Sequence, residues 1–227
     1  MKKISGQVME IYHDLDVHIS RFSESSGYKC QHLCIACCDT TEAHASLGEC
    51  LPFAFEAVIN RPELIDRFES LSDEELSGRP CVFYNTNLTL YDRGGCTIYG
   101  VRPLMCRLFG YSAIMNKHLK CIFAACKWMK DSSPDMIQKT QEAIDNGLSV
   151  PIMPDYAFRV FHLAPYLGSE EFPINVAMKK AIEKVKVDLE IFGRRLKKIN
   201  LNENLNIKDI DSLLIFENPN NELKTNA

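Results

Sequence analysis

No apolar run in the 227-residue sequence approaches the roughly 18 residues that a membrane-crossing helix needs. The opening, Met1-Lys2-Lys3-Ile4-Ser5-Gly6-Gln7, is basic but has no apolar stretch behind it, so the expectation is a cytoplasmic protein in a reducing compartment. A Gly-rich strand–loop–helix element for a nucleotide or methyl donor is missing. So is any hydrolase-type Ser or His motif, and no catalytic residue is named. Internal repeats are absent. Cysteine, too, is absent from the 130 residues outside Cys30–Cys126.

All ten cysteines lie inside that segment, at 30, 34, 37, 38, 50, 81, 96, 106, 121 and 126. A reducing compartment disfavours disulfides, and metal or redox chemistry becomes the better reading. One buried cysteine is ordinary packing. Four within nine residues are not. Charge is uneven in the same place: of 26 Lys/Arg and 30 Asp/Glu, seven and one fall between Asp92 and Lys130.

Apolar residues at steps of three and four predict an amphipathic helix over 4–22, ended by Ser23–Gly27. Leu51–Leu71 reads as one broken helix or two short ones, interrupted at Arg61-Pro62. Cys81–Tyr84 and Leu88–Tyr91 read as short strands, with a turn at Asp92–Gly95. Pro103 starts a helix that Gly110 stops, and Ser132 or Ser133 caps one begun by Pro134 and ended near Gly147. Residues 173–199 carry near-heptad spacing, which suits docking on the domain or a homodimer seam. The expected fold is α+β, mostly helical, around a small irregular cysteine-rich centre with a few short strands. Its expected parts are an N-terminal helix (1–29), the cysteine domain (30–130), a C-terminal helical part (131–200) and a tail (201–227).

The first cysteine group, Cys30-Gln31-His32-Leu33-Cys34-Ile35-Ala36-Cys37-Cys38, has C-x3-C-x2-C-C spacing, short enough for a loop to wrap one centre. Thiolates are soft ligands suited to zinc and iron–sulfur clusters. Neighbouring side chains diverge, so Cys37 and Cys38 reach one mononuclear metal only awkwardly. The second group is Cys81, Cys96 and Cys106, the last bracketed by Arg102 and Arg107. Those cations are expected to offset the negative charge of clustered thiolates. Cys121 and Cys126 are extra candidates, with a buried helix over Lys120–Met129 as their alternative. Cys50 reads as packing, and His32 and His44 are left out of the ligand set.

The ordered pieces Cys30-x3-Cys34-x2-Cys37-Cys38, Cys81-x-Phe83, Cys96-x-Ile98-Tyr99, Arg102-Pro103 and Cys106-Arg107-x-Phe109 resemble the cysteine-cluster family of zinc- or iron-chelating domains. The resemblance runs from about Cys30 to Cys126. It implies a largely bacterial and archaeal protein binding zinc or iron, often as an iron–sulfur cluster. A flagellin lysine methylase is similar to this group, so protein modification is an activity it permits. It carries over Cys30, Cys34, Cys37, Cys38, Cys81, Cys96 and Cys106 as ligands.

Cys30-x3-Cys34-x2-Cys37 is also the spacing of radical S-adenosylmethionine enzymes. Ala36 stands where those carry an aromatic, and the strand–helix repeats of their barrel are missing. The expected function is metal-cluster binding through cysteine thiolates, an iron–sulfur cluster (4Fe–4S) ahead of zinc, with a redox or protein-modification role. The rival is a zinc-stabilised interaction module whose basic segment, with Tyr99, Phe109, Tyr111, Phe123 and Trp128, binds an acidic partner or, less favoured, nucleic acid.

Overall fold

The computed structural model describes residues 1–30, 38–68, 70–85 and 95–202, the side chains of 195–202 excepted. The expected strand Leu88–Tyr91 and the tail lie outside the described residues. Contacts divide the chain into two units, Met1–Lys186 and Val187–Ala227. The fold is mostly helical α+β, with two short antiparallel strand pairs.

Helix α1 (Lys2–Ser26) ends where Gly27 takes the left-handed conformation at φ 71° and its N–H reaches the Ser23 carbonyl. Its apolar stripe of Val8, Ile11, Tyr12 and Leu15 is buried in one core cluster. That cluster takes Leu104 and Leu108 from α4 (Leu104–Leu108) and Tyr156 and Val160 from α7 (Met153–Leu163). Strand β1 (His44–Ser46) leads into α2 (Leu47–Phe55), whose first turn is closed by a reciprocal Ser46–Glu49 capping box. After α2 come a π-helical turn at Glu56–Asn60, a break at Arg61 and a 3-10 helix at Pro62–Phe68, so the interruption falls where Pro62 places it. The short α3 (Asp73–Ser77) follows.

Strands β2 (Ala113–Met115) and β3 (Cys121–Phe123) form a hairpin. Each of its outer edges is partly occupied. On β2, the Ala113 N–H donates to the Pro151 carbonyl at 2.8 Å. On β3, one side chain replaces a strand: Gln141 Oε1 accepts from the Phe123 N–H at 2.9 Å and Gln141 Nε2 donates to the Cys121 carbonyl at 3.0 Å. Gln141 belongs to α6 (Pro134–Asp145), which is preceded by α5 (Lys127–Ser132). Beyond α7 and α8 (Pro165–Gly168), β4 (Glu171–Pro173) pairs with β1 and runs straight into α9 (Ile174–Asn202).

Two local expectations change. Cys81–Tyr84 is not a strand but a turn with a single bridge, Tyr84 to Cys96, because the Val82 N–H is taken by the Asn175 side chain and not by a strand partner. Lys120–Met129 is not one helix: Cys121–Phe123 pairs with β2, and Cys126 is the N-cap of α5. On α9, Ile174, Met178, Ile182 and Val185 are buried and Phe192 is exposed, while the side chains of Leu196 and Ile199 lie outside the described residues.

His18 ties α1 to the start of α7 and the loop before it, with Nδ1 3.0 Å from the Tyr156 hydroxyl and Nε2 3.0 Å from the Ser149 hydroxyl. Burial, then the nearby Arg21 charge, lowers its pKa. A lowered imidazole pKa means the unfolded chain binds the proton more readily. Stability is then full above the free value of about 6.5 and is lost as pH falls through it. Thermal melts between pH 7.5 and 5.5 should show a falling Tm, and His18→Gln should flatten that slope.

Candidate metal centre

Cys30, exposed, sits just beyond α1, and its N–H donates to the Tyr111 hydroxyl at 2.8 Å. Burial raises the Tyr111 pKa against the hydrogen bond from the Cys30 N–H; the Cys30 thiol and Tyr99 add to the rise and Arg102 opposes it, so Cys30, Tyr99 and Arg102 all lie within electrostatic reach of Tyr111. Tyr28 stands edge-on to Tyr111, ring centres 5.5 Å apart, and fixes the phenol from behind. Cys34 and Cys37 lie outside the described residues, as do His32 and Arg93. Cys38 is buried, and its carbonyl accepts from the Cys81 N–H at 3.2 Å. The two cysteine groups therefore meet through the backbone.

Cys81 and Cys96 are half-buried on adjacent loops. Asn85 N–H donates to the Gly95 carbonyl at 2.8 Å, and Thr97 N–H to the Phe83 carbonyl at 3.1 Å. Each cysteine is followed two residues later by an apolar anchor. Phe83 is 1% exposed and packs against Phe53 and Phe68 with ring centres at 5.0 and 5.6 Å, and Ile98 is also buried. A buried phenyl contributes on the order of 1.5–3 kcal/mol. Extended residues two apart share a side, but these loops twist, so the anchor goes into the core while the thiol stays half-exposed.

Cys106 lies on α4, begun by Pro103 and followed by Gly110 at φ 77°. Two charged groups hold this short helix. Glu49, 8% exposed, completes the α2 capping box and also accepts from the Met105 N–H at 3.3 Å through Oε2. Burial pushes the Glu49 carboxyl up, against the pull of the Ser46 and Met105 hydrogen bonds. Arg107, 3% exposed, pairs with Asp16, donates to the Gly100 and Arg102 carbonyls and lies over the Tyr12 ring at 4.6 Å. The Tyr12 hydroxyl in turn donates to the Glu49 carbonyl at 2.7 Å. Arg107 is thus a brace between α1 and α4, its charge met by Asp16. Arg102 instead stacks on Tyr99 at 4.0 Å, and its buried Nε has no hydrogen-bond partner among the described residues.

Cys50 is fully buried on α2, in keeping with packing, yet it has cysteine neighbours. Burial, then Glu49, Cys106 and Cys81, push its thiol pKa up. Cys121 and Cys126 pack against the cluster that contains Phe22, Tyr28, Phe123 and Met129. Burial and then Asp145 raise the Cys121 pKa, while Cys126 Sγ caps α5 by accepting from the Met129 N–H at 3.4 Å. His44 is exposed and bonded to the Glu42 carbonyl. Lys117, Lys127 and Lys130 are exposed, and Lys120 pairs with Asp145. Among the described residues no three His, Cys, Asp or Glu side chains stand in metal-holding geometry.

The chemistry of this donor set fits a thiophilic metal: segments distant in sequence bring Cys38, Cys81 and Cys96 together through backbone bonds, and the carboxylates of Glu49 and Asp16 are used as cap and brace. These cysteines are candidate ligands for such a metal. The family model described as "Putative zinc- or iron-chelating domain", of the CxxCxxCC type, matches residues 29–143, just over half of the chain, and the chain belongs to that family. No curated protein and no solved structure matches it.

Sequence reading missed Tyr111 as the partner of Cys30, and it missed Glu49 and Asn175 altogether. The Ser46-x-x-Glu49 spacing is a legible capping box; nothing nearby marks Asn175. Arg107→Ala should cost about 2–4 kcal/mol in chemical denaturation, because it strands two carbonyls and a buried ring face. Asp16→Ala, at a half-exposed partner, should cost about 1 kcal/mol or less. Equal losses would refute the brace.

Proposed function

We propose that the chain binds an iron–sulfur cluster, ahead of zinc, through Cys30, Cys34, Cys37, Cys38, Cys81, Cys96 and Cys106, with Cys121 and Cys126 as further candidates. The observation that carries this reading is the backbone bond from Cys81 to Cys38, which joins the two cysteine groups across more than forty residues. A thiol-only set containing an adjacent pair suits a multi-iron cluster better than one tetrahedral ion. Such a cluster, when bound, supplies one-electron redox chemistry; zinc supplies a closed structural cross-link.

The chain's own residues orient and shield. Tyr111 and Glu49 hold the backbone beside Cys30 and Cys106. Arg102, set beside Cys30 and Tyr99, offsets thiolate charge, and Arg107 contributes by fixing α4. A redox or protein-modification role follows the cluster reading, in a cytoplasmic setting.

The zinc-stabilised module has one observation in its favour: Lys117, Lys127, Trp128 and Lys130 are exposed, as an acidic partner would require. Oxygen-free purification separates the two. Brown protein with visible absorption and matching iron and sulfide content supports the cluster; colourless protein with zinc overturns it. Cys37→Ser and Cys106→Ser should each lose most bound metal and lower Tm. Full metal content in both would overturn the ligand assignment.

A further inference from the structure

Asn175 lies on the first turn of α9, beyond the family segment, and is 1% exposed. A buried primary amide has one acceptor oxygen and two donor hydrogens to satisfy. All are used on one stretch of chain. Oδ1 accepts from the Val82 N–H at 3.0 Å, while Nδ2 donates to the carbonyls of Leu76, Arg79 and Pro80 at 3.1, 3.3 and 3.1 Å. Three acceptors share two hydrogens, so the Nδ2 bonds are partly bifurcated.

The consequence falls on Cys81. The Pro80 carbonyl and the Cys81 N–H belong to one planar peptide unit, and the Val82 N–H belongs to the next. Asn175 and the Cys38 carbonyl hold the first plane; Asn175, together with the Tyr84 N–H that donates to the Cys81 carbonyl at 3.0 Å, holds the second. With both planes fixed, the two soft dihedrals of Cys81 are fixed, and so is the direction of its Cα–Cβ bond. The holding residue is itself anchored. Ile174 N–H donates to the Ala43 carbonyl at 2.8 Å, and β4 pairs with β1, on the segment that leads away from Cys38. Cys38 and Cys81 are thus referenced to the same helix start.

We propose that Asn175 is a positioning residue for the metal centre: it aims the Cys81 thiol and makes α9 part of the site. The proposal rests on the reading of Cys81 as a ligand. It is tested on the full chain with Zn(II) competition titrations and with the sulfur-to-Co(II) charge-transfer band after Co(II) loading. Asn175→Ala should weaken Zn(II) binding tenfold or more and change the Co(II) band. Asn175→Asp, which keeps the bond from Val82 but loses the donors, should fall between. Val185→Ala, a buried truncation on the same helix, should lower Tm while leaving both readouts as in the wild type. Folded Asn175→Ala or Asn175→Asp protein with wild-type affinity and spectrum overturns the proposal, as does a Val185→Ala variant with the same metal losses. Cys81→Ser separates the two layers: if it binds Zn(II) like wild type, the ligand assignment is what failed.

Discussion

Irregular backbone has no ladder of its own, so every buried peptide group in a cysteine loop must find a partner elsewhere or weaken the fold. An unmet group costs about 1–3 kcal/mol. Around the cysteines here, those partners are a few buried polar side chains on regular elements. Glu49 on α2 serves Met105, Arg107 on α4 serves Gly100 and Arg102, and Asn175 on α9 serves the chain from Leu76 to Val82. The helices thus contribute more than a hydrophobic jacket. They carry the donors and acceptors that hold the loops in place.

That division of labour explains why the centre is so little regular. Of the motif cysteines among the described residues, Cys38, Cys81 and Cys96 lie in turns and isolated bridges, while Cys106 sits on a helix. Apolar anchors two residues on, Phe83 and Ile98, supply the burial that the half-exposed thiols of Cys81 and Cys96 cannot. Charge is handled in the same economical way. Arg107 has its partner in Asp16, whereas Arg102 is stacked on Tyr99, within electrostatic reach of Tyr111.

Periodicity made the long helices legible, since α1 and α9 each bury one stripe of residues at steps of three and four. Proline and glycine made the breaks legible: Arg61-Pro62, Pro103 to Gly110, and Gly27 all act where their backbone preferences place them. Cysteine spacing gave the family, because short spacings encode a loop around one centre. Four things were not legible. The β1–β4 pair joins residues over 120 positions apart, and no local signal registers such a pairing. The strand expected at Cys81–Tyr84 failed because its amide is claimed by Asn175 from 93 positions away. The helix considered for Lys120–Met129 gave way to cross-strand pairing with Ala113–Met115. Cys50 looked like packing, and only folding brings Cys81 and Cys106 near it.

Gln141 has one more implication. By occupying part of the polar edge of β3 with its own amide, while the Pro151–Ile152 segment takes the Ala113 end of β2, the chain shortens the flanks on which a neighbouring molecule's strand could grow. For two short strands in a cysteine-rich protein, one glutamine side chain thus blunts an edge that would otherwise invite pairing.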